Sequence, residues 1–182
     1  MNRYFRRMLG GDKSPPRKPM SKIGWSWVGA FAGIYSISLL NELLGLNGDD
    51  SLFLIGSFGA SAVLIYGAPM AEFSQPRNLV IGHIVSAITG VITYKLIPDC
   101  VPLSGALAVS IAIVAMHLTR SLHPPGGATA LIAVIGGSKI HGLGYWYLLS
   151  PVLTGVLIML VVAVLVNNLS TNPKRHYPRY WI

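Results

Sequence analysis

The sequence predicts an all-α integral membrane protein, a helical bundle with six membrane segments arranged as two repeats. The 182 residues are 52% hydrophobic and only 11% charged, whereas a soluble domain carries about 25% charged residues. This composition excludes a soluble globular domain and a disordered chain. A single cysteine, Cys100, excludes a disulfide framework and a cysteine-ligated metal cluster.

The net charge of +8 is concentrated at the two ends of the chain. Residues 1–22 hold seven basic residues and one acid, and residues 169–182 hold three basic residues and no acid. Basic ends around an apolar body follow the positive-inside rule. We therefore expect a disordered basic cytoplasmic tail over 1–22, a single transmembrane domain over 23–168 and a basic cytoplasmic tail over 169–182. No nucleic-acid role is predicted, because the basic residues form no aromatic–basic patch within a folded unit.

Six apolar segments follow one another with short connections: Trp25–Leu46, Leu52–Pro69, Leu79–Ile97, Leu103–Leu118, Pro124–Ile135 and Tyr147–Val166. The first is long enough to cross about 30 Å of hydrocarbon. The second and fifth have shorter apolar helices. An alternative with four spans and two re-entrant short helices therefore stays open. Because both ends are basic, both termini are expected on the cytoplasmic side, which requires an even number of crossings, and both counts meet this requirement.

An internal repeat supports the two-fold organisation. Gly59–Ile65 matches Gly127–Ala133 at an offset of 68 residues, and each match precedes a helix containing Thr-Gly-Val. We expect repeats over about 23–98 and 103–168, each built as helix, short glycine-rich helix, helix. Inverted repeats of this kind are common in transporters, with short helices at the repeat interface. The N-termini of the two short helices, at about 58–67 and 125–135, are predicted to approach each other.

The segment His123–Leu131 carries the sharpest local signal for a binding site. Pro124 and Pro125 fit the first turn of a helix and are predicted to fix where it starts. The glycines Gly126 and Gly127 leave first-turn N–H groups uncovered, and the helix dipole is positive there, so the pattern favours an anion site.

The second half of this predicted anion site comes from the equivalent segment of the first repeat. The candidate substrate-binding residues are Ser57, Gly59, Ser61, Arg120, His123, Gly126, Gly127 and Thr129. Arg120 is expected to attract an anion, with an interfacial arginine as the alternative. The alternative for the glycines is close helix packing. His83 is interpreted as a structural histidine within the third segment, with a proton-relay or pore role as the alternative.

His123–Leu131, with the order His-Pro-Pro-Gly-Gly-Ala-Thr-Ala-Leu, resembles the signature of the HPP family of integral membrane proteins. The resemblance covers about residues 22–168. Members of that family are described as having four spanning helices, and chloroplast and cyanobacterial members are associated with nitrite transport. The resemblance therefore implies a small-anion transporter, with nitrite as the first candidate.

We therefore expect a transporter or channel for a small inorganic anion in a prokaryotic plasma membrane, in contact with membrane lipid. Homo-oligomerisation is left open. The alternatives are a non-catalytic partner subunit and an intramembrane enzyme that uses His117, Arg120 and His123. Catalytic activity is not predicted, because the Gly-x-Ser-x-Gly, His-Glu-x-x-His and Walker patterns are missing from the sequence. Neither a cofactor nor a metal ion is predicted.

Overall fold

The computed structural model describes residues 3–9, 12–43 and 49–182. The regular structure in these ranges is helical, with π-helical turns at Val63–Gly67 and Leu148–Leu153 and 3-10 turns at Glu72–Ser74 and Pro173–Arg175. The α-helices are α1 (Arg3–Arg6), α2 (Met20–Leu43), α3 (Asp49–Ala62), α4 (Pro76–Leu96), α5 (Val101–Leu118), α6 (Pro124–Ile135), α7 (Ser138–Leu143) and α8 (Thr154–Leu169).

Within the described residues, four helices are long and apolar enough to cross a membrane: Met20–Leu43, Pro76–Leu96, Val101–Leu118 and Leu148–Leu169. The predicted count of six full spans is therefore not confirmed. Two shorter apolar helices, Gly56–Gly67 and Pro124–Ile135, accompany the four. At 1.5 Å per residue, the 12 residues of α6 rise only about 18 Å, which is less than the hydrocarbon thickness.

The start of α2, the end of the first short helix and the C-terminal segment lie together at one end of the bundle, called here the terminal end. Arg175 donates from Nη1 to the carbonyl of Lys22 (3.3 Å) and from Nη2 to that of Tyr66 (2.7 Å). The backbone N–H of Arg179 donates to Oε1 of Gln75, just before α4 (2.8 Å). The end of the first short helix therefore lies beside the start of α2, and the four-span alternative with two re-entrant short helices stays a prediction.

Glycines let α4 and α6 pack closely and in parallel. A Cβ added to Gly82 would lie 2.7 Å from both Cβ of His123 and the carbonyl oxygen of Ser121, and one added to Gly90 would meet the backbone of Ala130. One added to Gly126 would lie 2.6 Å from Oγ of Ser86. Small residues allow helices in a membrane to approach in this way. The surroundings of Gly126 therefore support the alternative in which this glycine allows close helix packing.

The glycine of the second Thr-Gly-Val sequence has an equivalent role. Gly155 on α8 lies against the ring of Phe58 on α3, while Gly90 on α4 lies against α6. Each of these two glycines is thus in contact with the short helix from the other half of the chain. Such reciprocal packing agrees with a two-fold arrangement, but the repeat itself stays a prediction.

The two short helices start at different distances from their glycine-rich motifs. Helix α6 begins at Pro124, where the two prolines predict it. Helix α3 begins at Asp49, about two turns before Ser57. The prediction that a helix starts near residue 58 is therefore wrong, since Ser57–Ser61 lie inside a helix that is already formed.

The outward faces of the long helices are apolar. Phe31 on α2 is 58% exposed, Val114 on α5 56% and Val161 on α8 58%. Side chains of this kind at the surface of a soluble protein would form an aggregation-prone patch, but they suit contact with hydrocarbon chains. The interior instead holds small residues and several buried polar side chains.

The two basic ends of the chain differ in structure. Residues 12–19 are exposed and have no regular structure, and α2 starts at Met20 rather than after residue 22. The C-terminal segment is packed: Tyr177 is 2% exposed, and its hydroxyl donates to the carbonyl of Ser74 (2.9 Å). The segment predicted only as a basic tail thus forms part of the terminal end.

Candidate functional site

A cluster of buried polar side chains lies where α3, α4 and α6 meet, and we call it the histidine–hydroxyl cluster. It consists of Ser57 and Ser61 on α3, His83 on α4, His123 just before α6, and Thr129 on α6. Each of the five side chains is at most 1% exposed. Polar groups at such depth in a membrane protein are costly to bury and commonly functional.

The five side chains form one continuous hydrogen-bonded chain. The hydroxyls of Ser57 and Thr129 are 2.7 Å apart, and Oγ1 of Thr129 is 2.7 Å from Nδ1 of His83. Oγ of Ser61 lies 2.8 Å from Nε2 of His83 and 3.0 Å from Nε2 of His123. The chain ends where Nδ1 of His123 meets the carbonyl oxygen of Phe73 at 2.7 Å.

Donor counting assigns the tautomers of both neutral rings. A carbonyl oxygen only accepts, so Nδ1 of His123 carries its hydrogen and Nε2 accepts from Ser61. Because Ser61 has one hydrogen, it must accept from His83, whose hydrogen is therefore on Nε2. Nδ1 of His83 then accepts from the hydroxyl of Thr129.

When both rings are neutral, each hydroxyl of the cluster donates its hydrogen to an acceptor within or beside the cluster. The hydrogen of Ser57 is shared between Oγ1 of Thr129 and the carbonyl of Pro125, which lies at 3.1 Å. With both rings neutral, the cluster is therefore an uncharged and internally satisfied network.

The backbone at the start of α6 offers fewer donors than the sequence predicts. Pro124 and Pro125 have no N–H, and the N–H of Gly126 donates to the carbonyl of His123 (2.8 Å). The backbone of Ser57–Ser61 lies within α3, where N–H groups are used by the helix itself. The idea of an anion held between two sets of bare backbone N–H groups needs correction, because the polar side chains are the available groups.

A cavity of about 660 Å³ opens beside the histidine–hydroxyl cluster, and we call it the vestibule. Phe73, which binds His123, and Leu122, which precedes it, both belong to its wall. The charged side chains of its wall are those of two arginines and one glutamate. Its lining residues are Glu72, Phe73, Arg77, Asn78, Met116, His117, Arg120, Leu122, Tyr180 and Ile182.

Arg120 is an exposed wall residue of the vestibule and does not belong to the buried cluster. It has φ 55° and closes the end of α5: its N–H donates to the carbonyl of His117 (3.0 Å), and that of Ser121 to Met116 (2.8 Å). This is a Schellman motif with an arginine at the position that usually holds glycine. Arg77 donates to the carbonyls of Thr119 and Arg120 and so caps the same helix end.

Four of the eight candidate binding residues meet in the cluster, and four lie elsewhere. Ser57, Ser61, His123 and Thr129 are brought together. Gly59 has nothing within 4 Å of an added Cβ, and Gly127 only an ordinary contact with Val109 at 3.7 Å. Gly126 packs against α4, and Arg120 lies in the vestibule, so these four do not line the cluster.

Sequence reasoning missed two contributors to the cluster. His83 links Ser61 to Thr129; its position favoured a structural role, with a proton-relay or pore role as the alternative, and it was not among the candidate binding residues. Tyr147 is fully buried and donates its hydroxyl to the carbonyl of Thr129 (3.0 Å). The usable signal for His83 was an ionisable residue in the middle of an apolar helix. The sequence offers no comparable signal for Tyr147, which is typical of an interfacial aromatic residue.

The family comparison identifies the chain. The family described as HPP, transmembrane region, matches residues 15–178. The chain belongs to the HPP family. The HPP match takes in the histidine–hydroxyl cluster, the vestibule wall except Tyr180 and Ile182, and most of the C-terminal segment.

Two relatives of this HPP protein are known as transmembrane proteins of Dictyostelium discoideum. One is 48% identical over 181 residues and the other 45% identical over 183 residues, each covering 98% of this chain. The chain spans 57% and 63% of their lengths. No solved structure matches the chain. Since these relatives come from a eukaryote, the expected prokaryotic plasma membrane gains no support from them and stays a prediction.

Proposed function

We propose that this HPP protein is a membrane transporter or channel for a small inorganic anion, with nitrite as the first candidate. The observation that carries the proposal is the histidine–hydroxyl cluster, a fully buried set of hydrogen-bonding side chains inside a largely apolar bundle. Transporters place their substrate sites where short or broken helices meet within the membrane. The cluster lies at such a meeting point, between α3 and α6.

The vestibule supplies the route to the cluster. Arg77 and Arg120 make its wall attractive to anions, and Phe73 and Leu122 connect it to His123. A positively lined cleft raises the local concentration of anions. We infer that an anion collects in the vestibule and then replaces hydrogen bonds within the cluster, where hydroxyl and ring N–H groups substitute for its water.

The identity of nitrite rests on the family resemblance, and the preference for a small ion rests on the site. The hydroxyls of Ser57 and Thr129 are in direct contact, so a large substrate would have to separate α3 from α6. The intramembrane-enzyme alternative has weaker support, because His117 and Arg120 are exposed while His123 is buried. The partner-subunit alternative predicts no ion flux at all.

The test is anion uptake by the purified full chain in liposomes. Thr129→Val keeps the shape of the side chain but removes the hydroxyl that joins His83 to Ser57, so we expect nitrite uptake to fall at least about tenfold, as for a lost buried hydrogen bond. Thr93→Val is the matched control, because the hydroxyl of buried Thr93 donates to the Thr89 carbonyl of its own helix and, in the part of the chain that the structure describes, to no other helix.

The control variant is expected to transport like the wild type. Equal nitrite uptake by Thr129→Val and the wild type, with both proteins folded, would contradict the assignment of the site. A decrease of the same size in both threonine variants would indicate general destabilisation and would also count against it.

A further inference from the structure

We propose that His123 couples anion binding to proton binding, so that each anion crosses together with one proton. The inference rests on the proposed function and deepens it. In the neutral cluster the hydrogen of Ser61 is committed to Nε2 of His123. A proton on that nitrogen reverses the hydrogen bond and releases the Ser61 hydroxyl to donate to an anion.

The step balances with one proton and no other reactant. A hydronium ion that enters the cluster with the anion gives its proton to Nε2 of His123, on the side of Ser61, and leaves as water, while Nδ1 keeps its hydrogen and its bond to the Phe73 carbonyl. The ring is then an imidazolium that donates from both nitrogens. Ser61 now accepts from both rings, and its O–H turns to the incoming anion.

Charge compensation explains why the two ions bind together. An uncompensated charge is costly in a buried site, and this holds for the proton and the anion separately. An imidazolium beside an anion is neutral as a pair. Each ion therefore increases the affinity of the site for the other, as thermodynamic linkage requires.

The surroundings of His123 contain few other groups that could take the proton. His83 faces it with ring centroids 4.9 Å apart, and Tyr147 reaches the cluster only through the carbonyl of Thr129. The remaining charged or titratable neighbours line the vestibule: Glu72, Arg77, His117, Arg120 and Tyr180. His83 holds its hydrogen on the nitrogen that faces Ser61, so His123 has the basic nitrogen on that side of the cluster.

The experiment measures anion uptake and internal pH together in liposomes containing the full chain. Nitrate is the principal probe, because nitric acid is fully ionised and a proton that follows nitrate must be carried by the protein. Nitrite is tested in parallel against protein-free liposomes. We expect one proton per anion and an apparent KM that falls about tenfold for each pH unit between about pH 8 and pH 6, as one-proton linkage requires.

Single substitutions test whether His123 binds the proton that accompanies the anion. His123→Asn keeps a donor for the Phe73 carbonyl but has no second ring nitrogen, so proton uptake and the pH dependence of KM should both be lost. Ser61→Ala is the second variant if His123→Asn does not fold; it should bind the anion weakly at every pH. Ser86→Ala is the control, because Oγ of Ser86 is buried and has no hydrogen-bond partner among the described residues.

The outcomes separate the two proposals. Anion uptake without proton uptake, or coupling that persists in both His123→Asn and Ser61→Ala, would overturn the role of His123. Proton movement with nitrite but not with transported nitrate would place the proton on the substrate and would also overturn it. If no anion enters above protein-free liposomes, the transporter proposal fails and takes this inference with it.

Discussion

Arg120 adopts a backbone conformation that costs free energy for any residue with a Cβ. Its φ of 55° places it in the left-handed region, at the helix-closing position where glycine is usual. Non-glycine residues in this conformation cost roughly 1–2 kcal/mol. We infer that an arginine stands at this strained position because its positive charge in the vestibule wall has a function.

A comparison of two substitutions tests this interpretation. We expect Arg120→Gly to be more stable than Arg120→Ala by about 1 kcal/mol, because only glycine adopts the left-handed conformation without strain. Thermal unfolding of both proteins in detergent measures the difference. Equal stability of the two variants would show that the Arg120 backbone is not strained.

The same two variants should share one functional defect. Both remove the positive charge, so at low salt the apparent KM for nitrite should rise about twofold and the difference should disappear at high salt. Lys139→Gln is the control for charge, since Lys139 is exposed and is not part of the vestibule wall. An unchanged KM in the Arg120 variants would make Arg120 an interfacial anchor only.

The sequence predicted individual members of the histidine–hydroxyl cluster better than the contacts between them. The hydroxyls of Ser57, Ser61 and Thr129 and the ring of His123 follow from the repeat and the His-Pro-Pro motif. The missing member, His83, comes from a different helix, and its contact with Thr129 depends on how α4 packs against α6. A single sequence does not determine how α4 and α6 are rotated against each other, because many helix rotations satisfy the same apolar pattern.

At the scale of elements, proline chemistry was the most informative signal. Pro124 begins α6 because proline is favoured at a first helical turn and unfavourable later. The start of α3 was misplaced, since the glycines near residue 56 suggested a helix boundary. In a membrane protein such glycines are compatible with a continuous helix, and only the structure shows that α3 extends back to Asp49.

The close contact of α4 with α6 gives a test at the same scale. Gly90→Ala would place a methyl group against the carbonyl of Ala130 and 2.7 Å from Cβ of Ala133. Overpacking of this kind costs about 1–3 kcal/mol, so we expect a lower midpoint of thermal unfolding in detergent. Because α6 positions Thr129, nitrite uptake should also fall.

Gly24→Ala is the matched control for the Gly90 substitution. Gly24 lies in α2, and an added Cβ would meet nothing within 4 Å. Replacing such a glycine by alanine within a helix stabilises it by roughly 0.5–1 kcal/mol. If Gly90→Ala is as stable as Gly24→Ala, the proposed tight contact between α4 and α6 is wrong.

For the whole molecule, composition was sufficient to predict an all-helical membrane protein, and the charge distribution predicted that both ends lie on one side. The contacts of Arg175 with Lys22 and Tyr66 agree with a shared side. The cytoplasmic identity of that side stays a prediction. The packing of the C-terminal segment could not be predicted, because it depends on single contacts such as that of Tyr177 with Ser74.

The most direct test of transport is the uptake of nitrite, nitrate, chloride and formate by liposomes containing the purified wild-type chain. The proposed site predicts saturable uptake of at least one of these anions above protein-free liposomes, with nitrite first, because the buried cluster holds a limited number of ions. Uptake of all four that equals the protein-free rate would contradict the transporter assignment and favour a partner-subunit role.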